Sequence, residues 1–466
     1  MSYYKLRDKV IFRIEYFGGF LFDIDKDRFY ELNKSAATIL SAMEEKWVSI
    51  DTIATFYNDP EKQKNIIEFI NKLADFNLLV KVANVDKCNV VNKINVIDYE
   101  HHQKYLKIPV SISYYPTYLC NQNCQFCSNQ TATSENHRLA PLLSFDKTKI
   151  FLDKAIKDKV CILNIFGGEP TMHWPTIKSI LSYVNNKMSI CMVTNGSYNG
   201  GLTDNQLQFM SKLNNFSLGI SIHSIDPFIH DKIVGIEGAW EISMSTAKRA
   251  INAGINVLIQ SVAHKSTYST LFDMAIKAKE IGAKGYYVMY VQPRKTTCLE
   301  KYENESISSK LFWELNDQLI TLEDENFLVF RNYHFGFLYK NKPIKSMEYS
   351  GLIKTAKECS ALGLEVHIDP SGDVYPCELI IGLNEYKLGN ILEQDFAEIY
   401  TNKILNIFRE RNIEKLENEK CIKCSYKTIC KGGCPIVSKM LKDNYYAGDP
   451  MCPLINEKLN SKKEES

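Results

Sequence analysis

Residues 110–127 read VSISYYPTYLCNQNCQFC. A short apolar strand, VSISY, leads into a loop that carries Cys120, Cys124 and Cys127, with three and then two residues between them. A structural zinc site closes with four ligands, commonly as two C-x2-C pairs. Here no fourth cysteine is adjacent, and His137, ten residues on, has no evident reason to be recruited. A disulfide would leave one sulfur over, and the chain shows no sign of export to an oxidising compartment. A 4Fe–4S cluster takes one ligand per iron. Three thiolates would leave one iron open to hard donors such as an amine and a carboxylate.

The pattern around this segment sets the fold class. From residue 109 onward the strands VSISY, ILNIF, ICMVTN, SLGISIH, NVLIQSV and YYVMYV alternate with amphipathic stretches such as FDKTKIFLDKAIK, PTIKSILSYVNNK, DNQLQFMSKL, SMSTAKRAINA and LFDMAIKAKEIG. Six strand–helix repeats imply a parallel sheet in an α/β fold. Six units are too few for the eight-stranded barrel, so the expectation is a partial, TIM-like (β/α)6 barrel. Chemistry on such sheets sits at the C-terminal ends of the strands. The unusual residues fall at those ends. The three-cysteine loop follows the first strand, Gly167-Gly168-Glu169-Pro170 the second and Thr194-Asn195-Gly196 the third, and Ser221 and His223 end the fourth.

Composition narrows the function classes. At roughly 150 residues per domain, 466 residues predict about three domains. With 56 basic and 55 acidic residues the net charge is +1, so bulk electrostatics point to no nucleic-acid partner. The start, MSYYKLRDKV, has no apolar run behind a basic segment, and no stretch has the length of a membrane span. The expectation is a cytoplasmic protein with no membrane association. Fourteen cysteines in such a chain read first as metal ligands or catalysts. Ten fall into spaced patterns. Cys88, Cys161, Cys191 and Cys298 are scattered, and Cys161 and Cys191 lie in apolar strands, where a thiol packs as a small hydrophobe. The expected divisions are 1–82, a polar linker 83–108 with a possible strand and the pair His101-His102, the barrel 109–299, a bridging region 300–357, and a cysteine-rich region 358–466.

Cys120-x3-Cys124-x2-Cys127 after the first strand of a partial barrel, with Phe126 before the last cysteine, resembles the radical S-adenosylmethionine (SAM) family. The resemblance implies that these cysteines hold a 4Fe–4S cluster whose open iron is chelated by the methionine end of the cofactor. One electron then breaks a carbon–sulfur bond, and the 5′-deoxyadenosyl radical released takes hydrogen from an unactivated carbon. It also implies that Gly167, Gly168 and Glu169 receive the methionine ammonium, with Pro170 beside them in the cofactor-binding set. Asn195 and Ser221 would lie against the cofactor, Ser221 near its ribose or carboxylate. The chain departs from the family at Val234, where an arginine often precedes the glycine; Lys232 is a candidate substitute. A zinc loop with a chance GGEP is the alternative.

Seven cysteines follow: Cys359, Cys377, Cys421, Cys424, Cys430, Cys434 and Cys452. The run CIKCSYKTICKGGC, with Cys359 and Cys377 bracketing Gly372 upstream, resembles the SPASM domain. That likeness implies two auxiliary 4Fe–4S clusters, three clusters in all. Cys421, Cys424, Cys430 and Cys452 would ligate the outer one, and Cys359, Cys377 and Cys434 the inner one. Seven thiolates are one fewer than two closed clusters need, so the inner cluster would keep a position for a substrate thiolate, another side chain or water. Glu378, beside Cys377, is the candidate general base.

The N-terminal unit reads as three strands (VIFRIEY, GFLFDI, RFYELN) and then three helices, a winged-helix-like order. LFDIDKDRFYELNKSAATIL resembles the precursor-peptide recognition element of enzymes that modify ribosomally made peptides, where a leader adds as a strand to a sheet edge. Together these likenesses imply a peptide maturase that installs an intramolecular cross-link and draws electrons from an external flavodoxin- or ferredoxin-type donor. A thioether is favoured. A carbon–carbon (cyclophane-type) link and a sulfatase-type formylglycine maturase are the enzyme alternatives. A zinc-containing DNA-binding protein is the alternative from another class.

Overall fold

The computed structural model describes residues 2–99, 105–127, 143–293, 299–331, 359–452 and 454–455. Three of its strands are the hairpin runs expected at the N-terminus: β2 (Val10–Glu15), β3 (Gly18–Asp23) and β4 (Arg28–Asn33), an antiparallel meander in the order β2-β3-β4. A second sheet, in the order β6-β1-β5-β7, joins β1 (Tyr3–Leu6), β5 (Trp47–Ser49), β6 (Leu79–Val82) and β7 (Val90–Val91). Apart from β7, which lies inside the possible linker strand, this sheet is not foreseen. Its strands are too short for a period of two to show. Helices Lys34–Ser41, Ile50–Ala54 and Pro60–Asp75 start where side chains satisfy their first amides. Asn33 Oδ1 accepts from Ala36 N at 2.8 Å, Ser49 Oγ from Thr52 N at 3.0 Å, and Asp59 Oδ1 from Glu61 N at 2.9 Å.

All six expected barrel strands form: β8 (Ser111–Tyr114), β9 (Ile162–Ile165), β10 (Ser189–Thr194), β11 (Phe216–Ser221), β12 (Asn256–Ala263) and β13 (Gly285–Tyr290). Neighbours pair in parallel throughout. The sheet then exceeds the six-unit expectation at both edges. β14 (Leu328–Arg331) pairs in parallel with β13, and β15 (Glu365–Ile368) in parallel with β8. β16 (Asp373–Tyr375) and β17 (Gly389–Asn390) continue antiparallel beyond β15. Neither added parallel strand carries the long apolar run that marks the other six. LVFR is four residues, and EVHI alternates charged and apolar side chains.

Alternation splits the sheet into two faces. Ile112, Leu163, Met192, Leu218, Ile259 and Val288 point into one large core that also holds Val366, Phe396 and Val437, so the C-terminal region packs with the barrel around shared apolar contacts. The N-terminal meander covers the opposite end from the site. Leu21 faces Ile39 and Leu40, while Phe20, Phe22 and Ile24 pack on Leu106, Val110 and Cys161 at the starts of the parallel strands. Buried Arg13 pairs with buried Glu15 at 2.7 Å and donates to the Pro109 carbonyl at 2.7 Å. The connection after residue 82 is mostly exposed, as its polar sequence suggests, but is pinned at a few points. Ile94 and Tyr99 join the N-terminal core and Leu106 the interface, while His101 and His102 lie outside the described residues. Among the described residues no helix is long and apolar enough to cross a membrane.

Candidate active site

The loops leaving β8 and β9 lie backbone to backbone. Gly168 N donates to the Thr117 carbonyl at 2.7 Å and Glu169 N to the Leu119 carbonyl at 2.7 Å. A Cβ on Gly168 would overlap the Leu119 carbonyl oxygen, and one on Gly167, whose φ is +125°, would overlap that of Thr117. The glycine pair is thus demanded first by loop-to-loop contact, whatever else its carbonyls receive.

Glu169 is fully buried and largely committed to the protein. Its Oε1 accepts from Thr171 N at 3.0 Å, Thr171 Oγ1 at 2.5 Å and Thr194 Oγ1 at 2.7 Å; its Oε2 accepts from Asn195 N at 2.8 Å. Burial pushes this carboxyl up and the four donors pull it back, with burial prevailing. The carboxylate ties the Gly167–Pro170 turn to the end of β10; Pro170, also buried, opens the short helix Pro170–His173.

The three-cysteine loop rests on the end of helix Pro227–Val234. Asn123 N donates to the Val234 carbonyl at 2.9 Å and Gln125 N to that of Ile233 at 3.0 Å. Cys124 and Phe126 pack on Ile233, Val234 and Ala239. Val234 spends its side chain on that packing, and Phe126 lies edge-on to His223 at 4.8 Å. Asn195 Nδ2 donates to Cys120 Sγ at 3.7 Å and to Asn121 Oδ1 at 2.8 Å, and Gln122 N donates to Cys120 Sγ at 3.4 Å. Ser221 closes β11, partly exposed, in register with Gln260.

The C-terminal cysteines gather in two sets. Cys421, Cys424, Cys430 and Cys452 line one open pocket with about 360 Å³ of atom-free space. Cys434, Cys359 and Cys377 pack in or against the same core cluster, and burial, then Cys434 and Cys359, push the Cys377 thiol well up. Lys431-Gly432-Gly433 joins the two sets.

A model described as the radical SAM superfamily matches residues 114–290, and the SPASM model, an iron–sulfur cluster-binding domain, matches residues 359–425. The chain carries a radical SAM domain followed by a SPASM domain. It is 25% identical over 343 residues to the AdoMet-dependent heme synthase of Methanosarcina barkeri, covering 72% of this chain and 93% of that one. It is 24% identical over 359 residues to the antilisterial bacteriocin subtilosin biosynthesis protein AlbA of Bacillus subtilis, covering 76% and 72%. Its fold resembles the crystal structure of Streptococcus suis SuiB bound to precursor peptide SuiA, with a TM-score of 0.72 at 19% identity, over 97% of this chain and 100% of that one.

A radical SAM domain implies S-adenosylmethionine and a 4Fe–4S cluster, and the donor sets present suit iron–sulfur centres. Burial pushes the thiols up, Cys120 to about 11, Cys430 to about 12 and Cys452 to about 11, with Cys124 higher still; Glu169 adds to it at Cys120, Asp449 at Cys452, and neighbouring cysteines at Cys124 and Cys430. Coordination to a cationic centre reverses that cost by deprotonating them. N–H groups already point at sulfur: Tyr426 N to Cys424 Sγ at 3.4 Å and Val437 N to Cys434 Sγ at 3.5 Å, contacts that tune cluster potentials. Among the described residues, no three His, Cys, Asp or Glu side chains are drawn together as tightly as a single metal ion requires.

Glu378 is exposed, yet enough protein surrounds it that burial, and then Glu365, push its carboxyl up to about 7. Tyr115, just past β8, and Tyr290, ending β13, both feel its charge, which puts it at the same strand-end as the three-cysteine loop.

The radical SAM sheet also carries polar groups the sequence reading missed. Ser113 and Asn164 both donate to Glu365 Oε1, the latter at 3.3 Å; Glu365 lies 3.9 Å from His367, whose Nδ1 is 3.2 Å from the Tyr115 hydroxyl. The available signal was Ser111 and Ser113 in SISYY, Asn164 in ILNIF and Glu365 and His367 in EVHI, all on the alternation opposite the face that enters the core.

Proposed function

We propose that this radical SAM enzyme matures a ribosomally made precursor peptide by cross-linking it internally, with a thioether between a cysteine sulfur and a carbon as the bond formed. The observation that carries the reading is which residues follow the C-terminal strand ends. The Cys120–Cys127 loop follows β8, and Glu378, next to Cys377 in the chain, acts electrostatically on Tyr115 just past β8 and Tyr290 at the end of β13, while Cys434 and Cys359 act on Cys377. When bound, the cofactor and its cluster supply hydrogen-atom abstraction from unactivated carbon.

Within this reading Cys120, Cys124 and Cys127 hold that cluster. Gly167, Gly168, Glu169, Pro170, Asn195 and Ser221 shape the cofactor pocket. Cys421, Cys424, Cys430 and Cys452 hold an outer auxiliary cluster, and Cys359, Cys377 and Cys434 an inner one with a position left for the substrate thiolate. Glu378 is placed to accept the proton that this sulfur loses. The N-terminal unit, winged-helix-like in its strand and helix order, takes the leader along a free edge of the β2-β3-β4 sheet. The whole acts in the cytoplasm on electrons from an external carrier. Likeness to a structure described as bound to its precursor peptide, over nearly all of both chains, supports this, as does a relative named for bacteriocin biosynthesis.

The test is anaerobic coexpression with a short peptide encoded beside the gene, followed by mass spectrometry before and after thiol alkylation. Loss of two hydrogens with one cysteine no longer alkylating is the expected result. The same loss with every cysteine still alkylating replaces the thioether by a carbon–carbon link. An unchanged peptide, from enzyme shown to cleave its cofactor, removes that peptide or the maturase reading.

A further inference from the structure

The rim of the four-cysteine pocket is unlike the rest of the surface. From Lys420 to Lys431 the chain reads KCIKCSYKTICK, with lysines at 420, 423, 427 and 431 and no acidic residue, in a protein whose charges otherwise nearly cancel at 56 against 55. Lys420 and Lys427 line the pocket together with its four cysteines and Leu454. Beside the lysines stand apolar side chains that are about half exposed. Ile422 is 45% exposed, Ile429 44% and Leu454 47%. Ile422 follows Cys421 and Ile429 precedes Cys430 in the chain, and Leu454 lines the pocket itself. Exposed aliphatics beside a polar rim mark a protein contact surface, and a collar in which lysines outnumber acids, Lys423 having Glu419 3.8 Å away, steers an oppositely charged partner toward it.

We propose that this face is the docking surface for a small acidic one-electron carrier protein. The lysine collar orients the carrier, and Ile422, Ile429 and Leu454 form the dry centre of the contact. The carrier's redox group is thereby brought over the pocket of Cys421, Cys424, Cys430 and Cys452. The reduced carrier gives up one electron and is oxidised, and the centre held by these cysteines is reduced by one. The surface fits this partner better than a leader peptide. The apolar side chains belong to the segments that form a pocket rather than to a groove, and four of the pocket's lining residues are cysteines. This inference rests on the outer-cluster assignment in the proposed function.

The experiment uses anaerobically purified full-length protein and an acidic flavodoxin as the probe, with affinity measured by calorimetry at low and high salt. A Lys423→Glu/Ile429→Ser variant is compared with the wild type, because neither residue lines the cysteine pocket. Iron content and dithionite-driven cofactor cleavage are measured on both, since dithionite bypasses docking. The expected result is a complex weakened about tenfold or more in the variant and weakened by salt in the wild type, with iron and dithionite-driven cleavage unchanged. Should the variant lose iron, Lys423→Gln and the wild-type salt dependence decide in its place. Equal flavodoxin affinity in variant and wild type, affinity indifferent to salt, or equally tight binding of a polyglutamate peptide each overturns the docking surface. Wild-type protein without iron–sulfur absorbance instead overturns the cluster assignment, and the docking surface falls with it.

Discussion

The two ends of the parallel sheet are built from different materials. At the N-terminal ends, bulky side chains fill space: Phe20, Phe22 and Ile24 of the meander press on Leu106, Val110 and Cys161. At the C-terminal ends, backbone meets backbone: Gly167 and Gly168 lie on the carbonyls of Thr117 and Leu119, and thiols and carboxylates line what remains. One end is made to hold together and the other to leave room, so substitutions at the two ends should fail in different ways.

The largest effect is expected at the open end. Cys124→Ala should reduce cofactor cleavage by at least about a thousandfold, on the order of 4 kcal/mol of barrier. It should also lower the iron content while leaving the thermal midpoint nearly in place. Retained cleavage would remove the loop from the chemistry.

Phe22→Ala tests the closed end. Phe22 is fully buried and touches Phe29 at a ring separation of 4.5 Å. Its truncation should cost about 3–5 kcal/mol in urea unfolding, as for other large-to-small changes of a buried aromatic. Cofactor cleavage per folded molecule should stay unchanged. Lost cleavage in folded protein would mean that the two ends are coupled.

Gly168→Ala crosses the categories. Gly168 is not among the residues with positive φ, so on backbone grounds alanine would be tolerated or stabilising by about 0.4–1 kcal/mol. The added methyl, however, would overlap the Leu119 carbonyl. Destabilisation of about 1–3 kcal/mol, together with reduced cleavage, is expected from thermal unfolding and cofactor turnover. A stabilised variant would show that the β8 and β9 loops give way.

The open end was the more legible in the sequence, because its chemistry depends on residue types with few other uses. Cysteines at unequal spacing, paired glycines and a following glutamate stand out without a structure. The four cysteines assigned together, Cys421, Cys424, Cys430 and Cys452, line one pocket. What stayed hidden depends on partners. β1, β5 and β6 are too short to show a period, and EVHI reads as a strand only once β8 is beside it. The second roles of Gly168 and Glu169 stayed hidden for the same reason, since the carbonyls and hydroxyls they meet come from other loops.

The smallest predicted effect concerns a buried pair at the open end that behaves as structure. His223 and His230 stack at 5.7 Å. His230 Nδ1 accepts from His223 N at 3.1 Å, and His223 Nδ1 accepts from Val262 N at 3.3 Å. Both rings must therefore keep Nδ1 unprotonated, and a second proton would break these bonds. Burial lowers both, His230 to about 4 and His223 well below its ordinary value. The unfolded chain protonates each near 6.5, so their contribution to stability is whole above about pH 6.5 and declines as pH falls toward the folded values. The decline is on the order of 1 kcal/mol per pH unit for each ring. Urea midpoints measured from pH 7 down to pH 5 should fall less steeply for His230→Gln than for the wild type, which separates this pair from the carboxylates that titrate in both proteins. Equal slopes would mean that a proton enters the folded pair, and the open end would then be softer than its buried rings imply.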